Sequence, residues 1–542
     1  MTPRGLCTRR IIFYLCPPNR SSSSVMSRLY PIGIQSFERI REDGYVYVDK
    51  TSLVYRLATT GKHYFLSRPR RFGKSLLVST LEAYFLGKKG LFAGLAMERL
   101  EREWTEYPVF HLDLNSQKYE TPQSLADILN AALTKWEKEY GREEAETSLS
   151  LRFQGVVQRA AEKTGHNAVI LVDEYDKPLL QSIGNDSLQT DYRNTLKAFY
   201  GVLKSCDPYI RFALLTGVTK FSKVSVFSDL NNLIDISMDG QYASVCGITE
   251  KELAHNFADD IHLLADANGM ADEDAFRKLK EWYDGYHFTP ECEDIYNPFS
   301  LLNTFFRRRF GSYWFETGTP TFLAEMLKEC RYDLYALSDE QTTSDVLGSV
   351  DTMKDNPVPI LYQSGYLTIK GYDARFGLYR LGFPNEEVEK GFMSFLLPYY
   401  APIRKSESIF RISQFVRDVE SGNVGSFMRR LQSFFADTPY ELARDLELHY
   451  QNVLFIVFKL MGFFTQVEYH TSRGRIDLVL QTEKYIYVME FKLEGTAEGA
   501  LRQIEERNYA LPFASDPRKL FKVGVNFSNA LRGIEKWEVR ER

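Results

Sequence analysis

Arg68-Pro69-Arg70-Arg71-Phe72-Gly73-Lys74-Ser75 is the stretch on which the fold turns. It joins a short apolar strand, His63 to Leu66, to a run with helical spacing, Ser75 to Phe85. Where a strand hands over to a helix through such a loop, backbone N–H groups and the positive end of the helix dipole converge on one point, which suits an anion. Lys74 then reaches the β- and γ-phosphates of ATP and Ser75 offers its hydroxyl to Mg2+, with Arg71, Phe72 and Gly73 forming the cradle. One position departs from the Walker A pattern G-x-x-x-x-G-K-[ST]: Arg68 stands where the first glycine belongs. On the loop alone, a basic surface turn ahead of a helix is the competing reading.

Downstream, apolar stretches at 107–114, 168–172 and 210–215 alternate with helical patterns near 124–140, 149–163 and 192–203. Near-continuous apolar strands separated by helices predict a parallel sheet covered on both faces, an α/β architecture of the P-loop NTPase type. The strand Ala168 to Val172 ends in Asp173-Glu174, at the carboxyl edge where ligands of open α/β sheets bind. That is a Walker B arrangement, with Asp173 to hold Mg2+ and Glu174 to polarise the attacking water. A buried strand ending in acids is common; one that does so downstream of Gly-Lys-Ser at a helix start is not. Thr216, at the end of the next strand, is a candidate γ-phosphate sensor with an equally good reading as a turn residue. Arg68, Arg70 and Arg71 suit either transition-state charge or nucleic acid, and the sequence does not choose between them.

A second constellation lies near the end of the chain: Gly474-Arg475-Ile476-Asp477, a polar turn, then Glu490-Phe491-Lys492. Period-two alternation puts Glu490 and Lys492 on one side of a strand. With an even number of residues in the turn, Asp477 joins them on that face, opposite Val488 and diagonal to Glu490. Two carboxylates offer oxygen ligands to a divalent metal, and metal and lysine together activate water against a phosphodiester. Glu447, on an upstream helix with Leu454 and Phe458, is a candidate third acid. The competing readings are a solvated hairpin with a cross-strand ion pair and, for Glu447, a solvated helix charge. The apolar residues Ile476, Leu478, Tyr487, Met489 and Phe491 on the opposite face argue for a buried sheet instead.

Between the two sites, residues 249–328 read as mainly helical, with Asn297-Pro298-Phe299-Ser300 as a capped helix start. Residues 357–387 read as short strands with a hairpin around Gly371-Tyr372-Asp373, winged-helix-like in character, and 409–435 as helical again. The expected divisions are a P-loop domain over 26–245, a helical lid-like region over 246–345, a winged-helix-like and helical connector over 346–438, and a small α/β restriction-endonuclease-like domain over 439–542. Residues 1–25 resemble a targeting peptide only superficially and are expected to be a disordered extension or an upstream start preceding a natural start at Met26. At 542 residues, 44% hydrophobic and 26% charged, the composition is that of a folded globular protein and excludes collagen-like repeats or a small disulfide scaffold. Lys+Arg 67 against Asp+Glu 72 leaves a net charge of −5, which excludes a wholly basic nucleic-acid coat but not a local basic groove. The longest apolar run, Val453 to Phe464, is broken by Lys459 and falls short of the ~20 residues of a membrane span. The six cysteines carry neither zinc-cluster nor dithiol spacing, and a reducing cytoplasmic setting is expected.

With these residues in hand, the chain resembles a bacterial family that joins an AAA-ATPase-like domain to a C-terminal PD-(D/E)xK nuclease-like domain. Tyr30-Pro31-Ile32-Gly33, Val48-Asp49-Lys50-Thr51, the Arg68 to Ser75 loop, Val172-Asp173-Glu174-Tyr175-Asp176, Tyr283-Asp284-Gly285-Tyr286, Tyr296-Asn297-Pro298 and Tyr362-Gln363-Ser364-Gly365-Tyr366-Leu367 carry the resemblance, which covers nearly everything after Met26. It implies that arginine is tolerated at the first phosphate-loop position, that Lys74 and Ser75 bind nucleotide and Mg2+, and that Asp173 and Glu174 form the acidic pair. It also implies that Asp477, Glu490 and Lys492 form the nuclease core, Glu447 its helix acid, and Gln503 and Tyr509 accompanying polar positions. The proline of the superfamily's name is absent here, since Arg475-Ile476 precede Asp477. The expected activity is ATP hydrolysis coupled to Mg2+-dependent cleavage of nucleic acid, DNA ahead of RNA, with homo-oligomerisation by analogy to AAA-type ATPases. The alternatives are a nucleotide-dependent switch whose nuclease-like domain binds without cutting, and an ATPase with a degenerate C-terminal remnant.

Overall fold

The computed structural model describes residues 28–221, 232–316, 321–348, 350, 355–401, 403–436, 446–462, 466–472 and 475–541, and gives the backbone alone for 316, 405, 436, 467–472 and 475–477. The expectations for residues 1–25 and for Gly474 lie outside the described residues.

The first sheet has five strands in the order β2-β3-β4-β1-β5, comprising β1 (His63–Ser67), β2 (Val109–Asp113), β3 (Ala168–Asp173), β4 (Ile210–Gly217) and β5 (Ile234–Asp235). Every pairing in it is parallel. Helices cross between the strands and cover both faces, so β3, Ala-Val-Ile-Leu-Val-Asp, is buried along its whole length. The covering helices 122–140 and 149–164 carry ordinary start signals, Pro122 after Thr121 in one and Ser148 accepting from Leu151 N–H in the other.

The middle of the chain is mainly helical, as the spacing predicts. A two-stranded ribbon of β6 (Ile248–Thr249) and β7 (Ile295–Tyr296) anchors its first part, and the Asn297 side chain caps helix 298–307 by accepting from Ser300 N–H. Next comes a three-stranded antiparallel sheet, β8-β10-β9, built from β8 (Glu340–Thr343), β9 (Thr368–Asp373) and β10 (Leu378–Gly382). Two details differ from the sequence reading. Residues 358–363 form a helix, because a short apolar run bounded by proline and glycine does not by its period distinguish strand from helix. The hairpin turns at 374–377, past Tyr372, whose ring packs tilted against Tyr379 across the strands, centroids 4.7 Å apart. Helices 386–400, 408–420 and 424–436 follow.

The last sheet runs β11-β12-β13-β14-β15, with β11 (Gln466–Ser472), β12 (Arg475–Gln481), β13 (Tyr485–Leu493), β14 (Lys519–Ser528) and β15 (Gly533–Glu541). Only β13 and β14 pair in parallel. Helix 446–462 packs on one face, where Phe458 meets Phe491 at 6.1 Å. Helix 497–506 packs on the other, where Leu501 and Ile504 cluster with Ile486 and Val488. The chain is thus a mixed α/β protein with a parallel sheet at its start, a helical middle and a small α/β unit at its end.

Candidate functional site

The phosphate loop begins where β1 ends. Gly73 takes φ +96° immediately before helix 74–85, a conformation an L side chain resists, and this turns the first N–H groups of the helix toward the loop. Lys74 is buried and folds back on the loop, donating to the carbonyls of Arg68 at 2.9 Å and Pro69 at 3.2 Å. Its ammonium is thereby held across the mouth of the cradle. The Gly365 backbone, also left-handed, presses so closely on Pro69 that a Cβ there would lie 2.6 Å from the ring, which accounts for glycine in the Tyr362 to Leu367 stretch.

Arg68 answers the question its sequence left open. Its side chain is 1% exposed and turned inward, donating to the carbonyls of Ser67, Ser237 and Tyr242, with the guanidinium 4.1 Å over the Phe288 ring. A cation committed to the interior in this way is a strut for the loop. Arg70 and Arg71 are exposed, and Arg71 lies over Phe299 at 4.8 Å.

Asp173 closes β3, buried, and Glu174 follows at φ +52°, a left-handed position unusual for glutamate. Ser75 and Asp173 line the same polar cleft of about 320 Å³, together with Asp113, His111, Glu82 and Ser79. A serine hydroxyl at the helix start and a carboxylate at the strand end, facing one cleft, is a donor set that fits Mg2+. Burial pushes the Glu174 carboxyl above its ordinary range, against the pull of Lys74 and Lys177 and with the push of Asp176 and Asp173. Thr216 is fully buried and gives its hydroxyl to Asp173 Oδ1 at 2.6 Å.

Four neighbours carry no role in the sequence reading. Asp113 ends β2 in register with Asp173, the same signal of an acid after an apolar strand that singled out Asp173. His111 and Glu82 pair at 2.9 Å across the cleft; burial opposes a charged imidazole, but the Glu82 hydrogen bond and charge outweigh it and raise His111. Asp176 is buried and accepts from Val218 N–H, Thr219 N–H and the Thr219 hydroxyl, tying the acidic pair to the turn after β4. On the other side of the loop a cavity of about 100 Å³ is lined by Pro31, Val48, Phe72, Leu77, Gly247 and Pro298 among others, so three of the stretches noted in the sequence wall one apolar pocket together with Phe72 and Gly73 of the phosphate loop.

In the last sheet, β12 and β13 are joined through the two-residue turn Glu483-Lys484, and Thr482 N–H donates to Tyr485 O at 2.9 Å. The turn has the expected even length, but the register differs from the sequence reading: Asp477 pairs directly with Glu490, and Val479 with Val488. The sequence shows the parity of the turn and not where the hairpin closes. Glu490 is 0% exposed and Lys492 half-buried, both on the face covered by helix 497–506, which also carries Gln503. Tyr509 packs at the edge of that cluster. Glu447 is half-buried at the start of helix 446–462, where Gln451 donates to it at 3.4 Å. That helix end meets the carboxyl end of the sheet through Tyr450, stacked on Phe527 at 4.7 Å, and Phe527 pairs with Leu493. Asn526, the register partner of Lys492, was not read in the sequence; it accepts from Gly495 N–H and donates to Glu535.

Residues 31–227 match the family described as "Predicted AAA-ATPase", and residues 445–537 match the PD-(D/E)XK nuclease superfamily. A protein of Azotobacter chroococcum mcd 1, described as "Uncharacterized protein in vnfD 5'region", is 37% identical over 517 residues, covering 93% of this chain and 97% of that protein. This chain belongs to the same family, AAA-ATPase-like at its start and PD-(D/E)XK-like at its end.

The AAA-ATPase-like match takes in β1 to β4 with the phosphate loop and the acidic pair. The PD-(D/E)XK match takes in helix 446–462 and all of β11 to β14. Among the described residues no helix is long and apolar enough to cross a membrane.

Proposed function

We propose that the chain hydrolyses ATP at the Ser75–Asp173 cleft and that nucleotide state governs a metal-dependent nuclease-like site on β12 and β13, acting on nucleic acid, DNA ahead of RNA. The observation that supports the coupling is a chain of contacts from the phosphate loop to helix 446–462 of the nuclease-like unit. Trp314 Nε1 donates to the Arg70 carbonyl of the phosphate loop at 3.2 Å, and Trp314 N–H donates to Glu387 Oε1 at 2.8 Å. Glu387 is buried in helix 386–400, where it also accepts from the Ser300 hydroxyl at 2.7 Å. That helix lies against helix 446–462 of the nuclease-like unit and is pinned to it by Lys459, which donates to Glu389 at 2.7 Å.

In this reading the loop N–H groups and Lys74 bind the phosphates, and Lys74 exchanges its carbonyl partners for phosphate oxygens. Ser75 and Asp173 would hold Mg2+, with Thr216 fixing the Asp173 carboxylate. The metal, when bound, neutralises charge on the phosphates. Glu174, its carboxyl raised by burial, takes a proton from the attacking water. The apolar pocket between Pro31, Leu77 and Pro298 receives the base. At the second site Asp477 and Glu490 would hold the divalent metal, Glu447 stands at the same end of the sheet, and Lys492 orients water toward a phosphodiester.

Purified protein with ATP, Mg2+ and either DNA or RNA tests the whole: cleavage is expected, lost in Lys492→Ala and dependent on ATP. Lys74→Ala should lose nucleotide and Glu174→Gln should trap it. Normal hydrolysis by Lys74→Ala would overturn the phosphate-loop assignment. The complete burial of Glu490 favours one second reading, in which the C-terminal unit binds nucleic acid without cutting it. Its mark would be nucleic acid co-purifying with Glu174→Gln and left intact under every divalent metal.

A further inference from the structure

Helix 298–307 ends in a block of charge that neither site uses. Residues 295–315 hold Arg307, Arg308 and Arg309 and no Asp or Glu, against a net charge of −5 for the whole chain. All three arginines are exposed, and none of them is in an ion pair among the described residues. Phe305 turns inward and stacks on Phe257 at 5.2 Å, and Phe306 beside it turns outward, 66% exposed. The backbone under this block is fixed while its side chains are left to solvent. Arg308 takes φ +49°, a left-handed helix cap that glycine or asparagine fills at less cost. Asn268 donates to the Arg308 carbonyl at 3.1 Å and the Tyr313 hydroxyl to the Arg309 carbonyl at 2.6 Å. The Arg307 guanidinium lies 5.3 Å over the Tyr313 ring, and Lys278 brings a fourth cation to 4.6 Å over Phe310.

We propose that this block binds single-stranded nucleic acid, and that the nucleotide site feels its occupancy. Charge complementarity points to a polyanion, since clustered guanidiniums with no carboxylate partner suit phosphate oxygens. Phe306 points to a single strand, whose unstacked bases can lie on an exposed ring whatever their sequence, as duplex bases cannot. The braced backbone holds the cations at a set spacing, which matches phosphates repeated along a strand better than the fluid head groups of a lipid surface. The site deepens the proposed action on nucleic acid and rests on that reading.

The coupling rests on what lies at the two ends of the block. Before it, Pro298 and Leu302 wall the apolar pocket, and the Phe299 ring lies under the Arg71 guanidinium at 4.8 Å. After it, Trp314 Nε1 donates to the Arg70 carbonyl at 3.2 Å. Both segments that leave the block therefore end on the phosphate loop, the first after about 14 Å of helix. A strand that draws the arginines together pulls on both.

The test titrates the full chain into a fluorescein-labelled oligothymidylate of about 20 nucleotides, in EDTA and without ATP, with binding read by anisotropy at several salt concentrations. Arg307→Ala combined with Arg309→Ala should weaken binding at least about tenfold and flatten the slope of log K on log salt by about 1.4, two phosphate contacts at about 0.7 each. Phe306→Ala, at an exposed position that should leave the fold intact, should weaken binding with the slope unchanged. The surface is overturned if the unaltered protein does not bind, if both variants bind as it does, or if binding is lost in Lys492→Ala and kept in the arginine variant. Retention on phosphatidylserine vesicles with no uptake of the oligonucleotide overturns it in favour of a membrane. Binding lost in the arginine variant, with no cleavage by the unaltered protein under any divalent metal, upholds the surface and counts against cutting at β12 and β13. The coupling is read separately: the oligonucleotide should raise ATP hydrolysis several-fold in the unaltered protein and not in the arginine variant, whose basal rate should be unchanged. Absence of stimulation overturns the coupling, whereas absence of any hydrolysis counts against the proposed ATPase and leaves the binding result standing.

Discussion

Thr216 holds Asp173 from behind. The hydroxyl, at the end of β4, donates to the carboxylate at the end of β3 across 2.6 Å, and both groups are buried. An acid that is to ligate a metal needs one oxygen fixed so that the other points outward, and this bond does that. In the proposed site Thr216 would therefore act through Asp173. Thr216→Val should raise the Mg2+ concentration for half-maximal ATP hydrolysis by about 10- to 100-fold, the usual effect of losing an outer-shell partner, with nucleotide binding in the absence of metal unchanged. Thr216→Ser should restore the metal dependence. Hydrolysis lost at every Mg2+ concentration would instead mark Thr216 as the γ-phosphate sensor that the sequence suggested.

Glu174 makes the acid limb of the pH profile diagnostic. Burial lifts its carboxyl above the ordinary value, and Lys74 and Lys177 oppose that rise. As the proposed general base Glu174 works ionised, so kcat/KM should fall as pH drops through the raised pKa of the free enzyme. Lys177 Nζ stands 3.8 Å from Glu174 Oε2. Lys177→Ala removes a cation that favours the carboxylate, so the acid limb should move to higher pH in the variant. Measured kcat/KM profiles of the two proteins decide it; coincident limbs would show that another group titrates.

Arg68 gives the clearest separation of structure from chemistry. Its guanidinium makes bonds to three carbonyls of the interior, and burial lowers its pKa. Arg68→Ala strips those carbonyls of a charged donor and leaves a cavity, at a cost of about 3 kcal/mol or more. Thermal denaturation should show that loss for Arg68→Ala, while Arg70→Ala and Arg71→Ala, at exposed positions, should melt close to the unaltered protein.

Which parts of this were legible beforehand follows from how local each signal is. The strand to loop to helix passage at 63–85 and the acids after β3 are contiguous in sequence, so period and composition suffice to find them. Arg68 is contiguous too, yet its direction is set by Ser237, Tyr242 and Phe288, some 170 to 220 positions away. The hairpin at β12 and β13 announces its faces by alternation, but its register depends on which residues close the turn, and the reading was off by one pair. β14 escaped because Lys519 to Ser528 pairs with β13 in parallel across an intervening helix, a non-local contact that leaves no short-range mark. Glu387 reads as one more acid in an acidic helix start; only Ser300 and Trp314, far off in sequence, make it a junction.

Asp284 should make stability fall as pH rises. Burial lifts its carboxyl from an ordinary 3.8 to about 7, helped by Asp294 and Glu250 and opposed by the Gly285 N–H and Lys280. The folded chain thus accommodates the neutral acid. That contribution is complete below about 3.8, where the unfolded chain is also protonated, and is lost progressively as pH climbs through about 7. Asp284→Asn keeps the shape and cannot ionise. Its melting temperature should lie above that of the unaltered protein by several degrees at pH 8 and converge with it near pH 4. A constant offset at both pH values would assign the effect to packing.

Trp314 offers the most selective cut in the path between the sites, because its two donors can be separated. The backbone N–H serves Glu387 and survives substitution by phenylalanine, while Nε1 reaches the Arg70 carbonyl. Trp314→Phe keeps an aromatic ring against Tyr366, whose centroid lies 5.1 Å away, and deletes the bond to the Arg70 carbonyl. If nucleotide state is carried through that bond to helix 386–400 and on through Glu389 and Lys459, ATP should change amide-hydrogen exchange in helix 446–462 of the unaltered protein. In Trp314→Phe, ATP should still bind and still protect the phosphate loop, but the change in helix 446–462 should vanish. Persistence of that change would mean that the signal runs by another route, and its absence from the unaltered protein would mean that the two sites act independently.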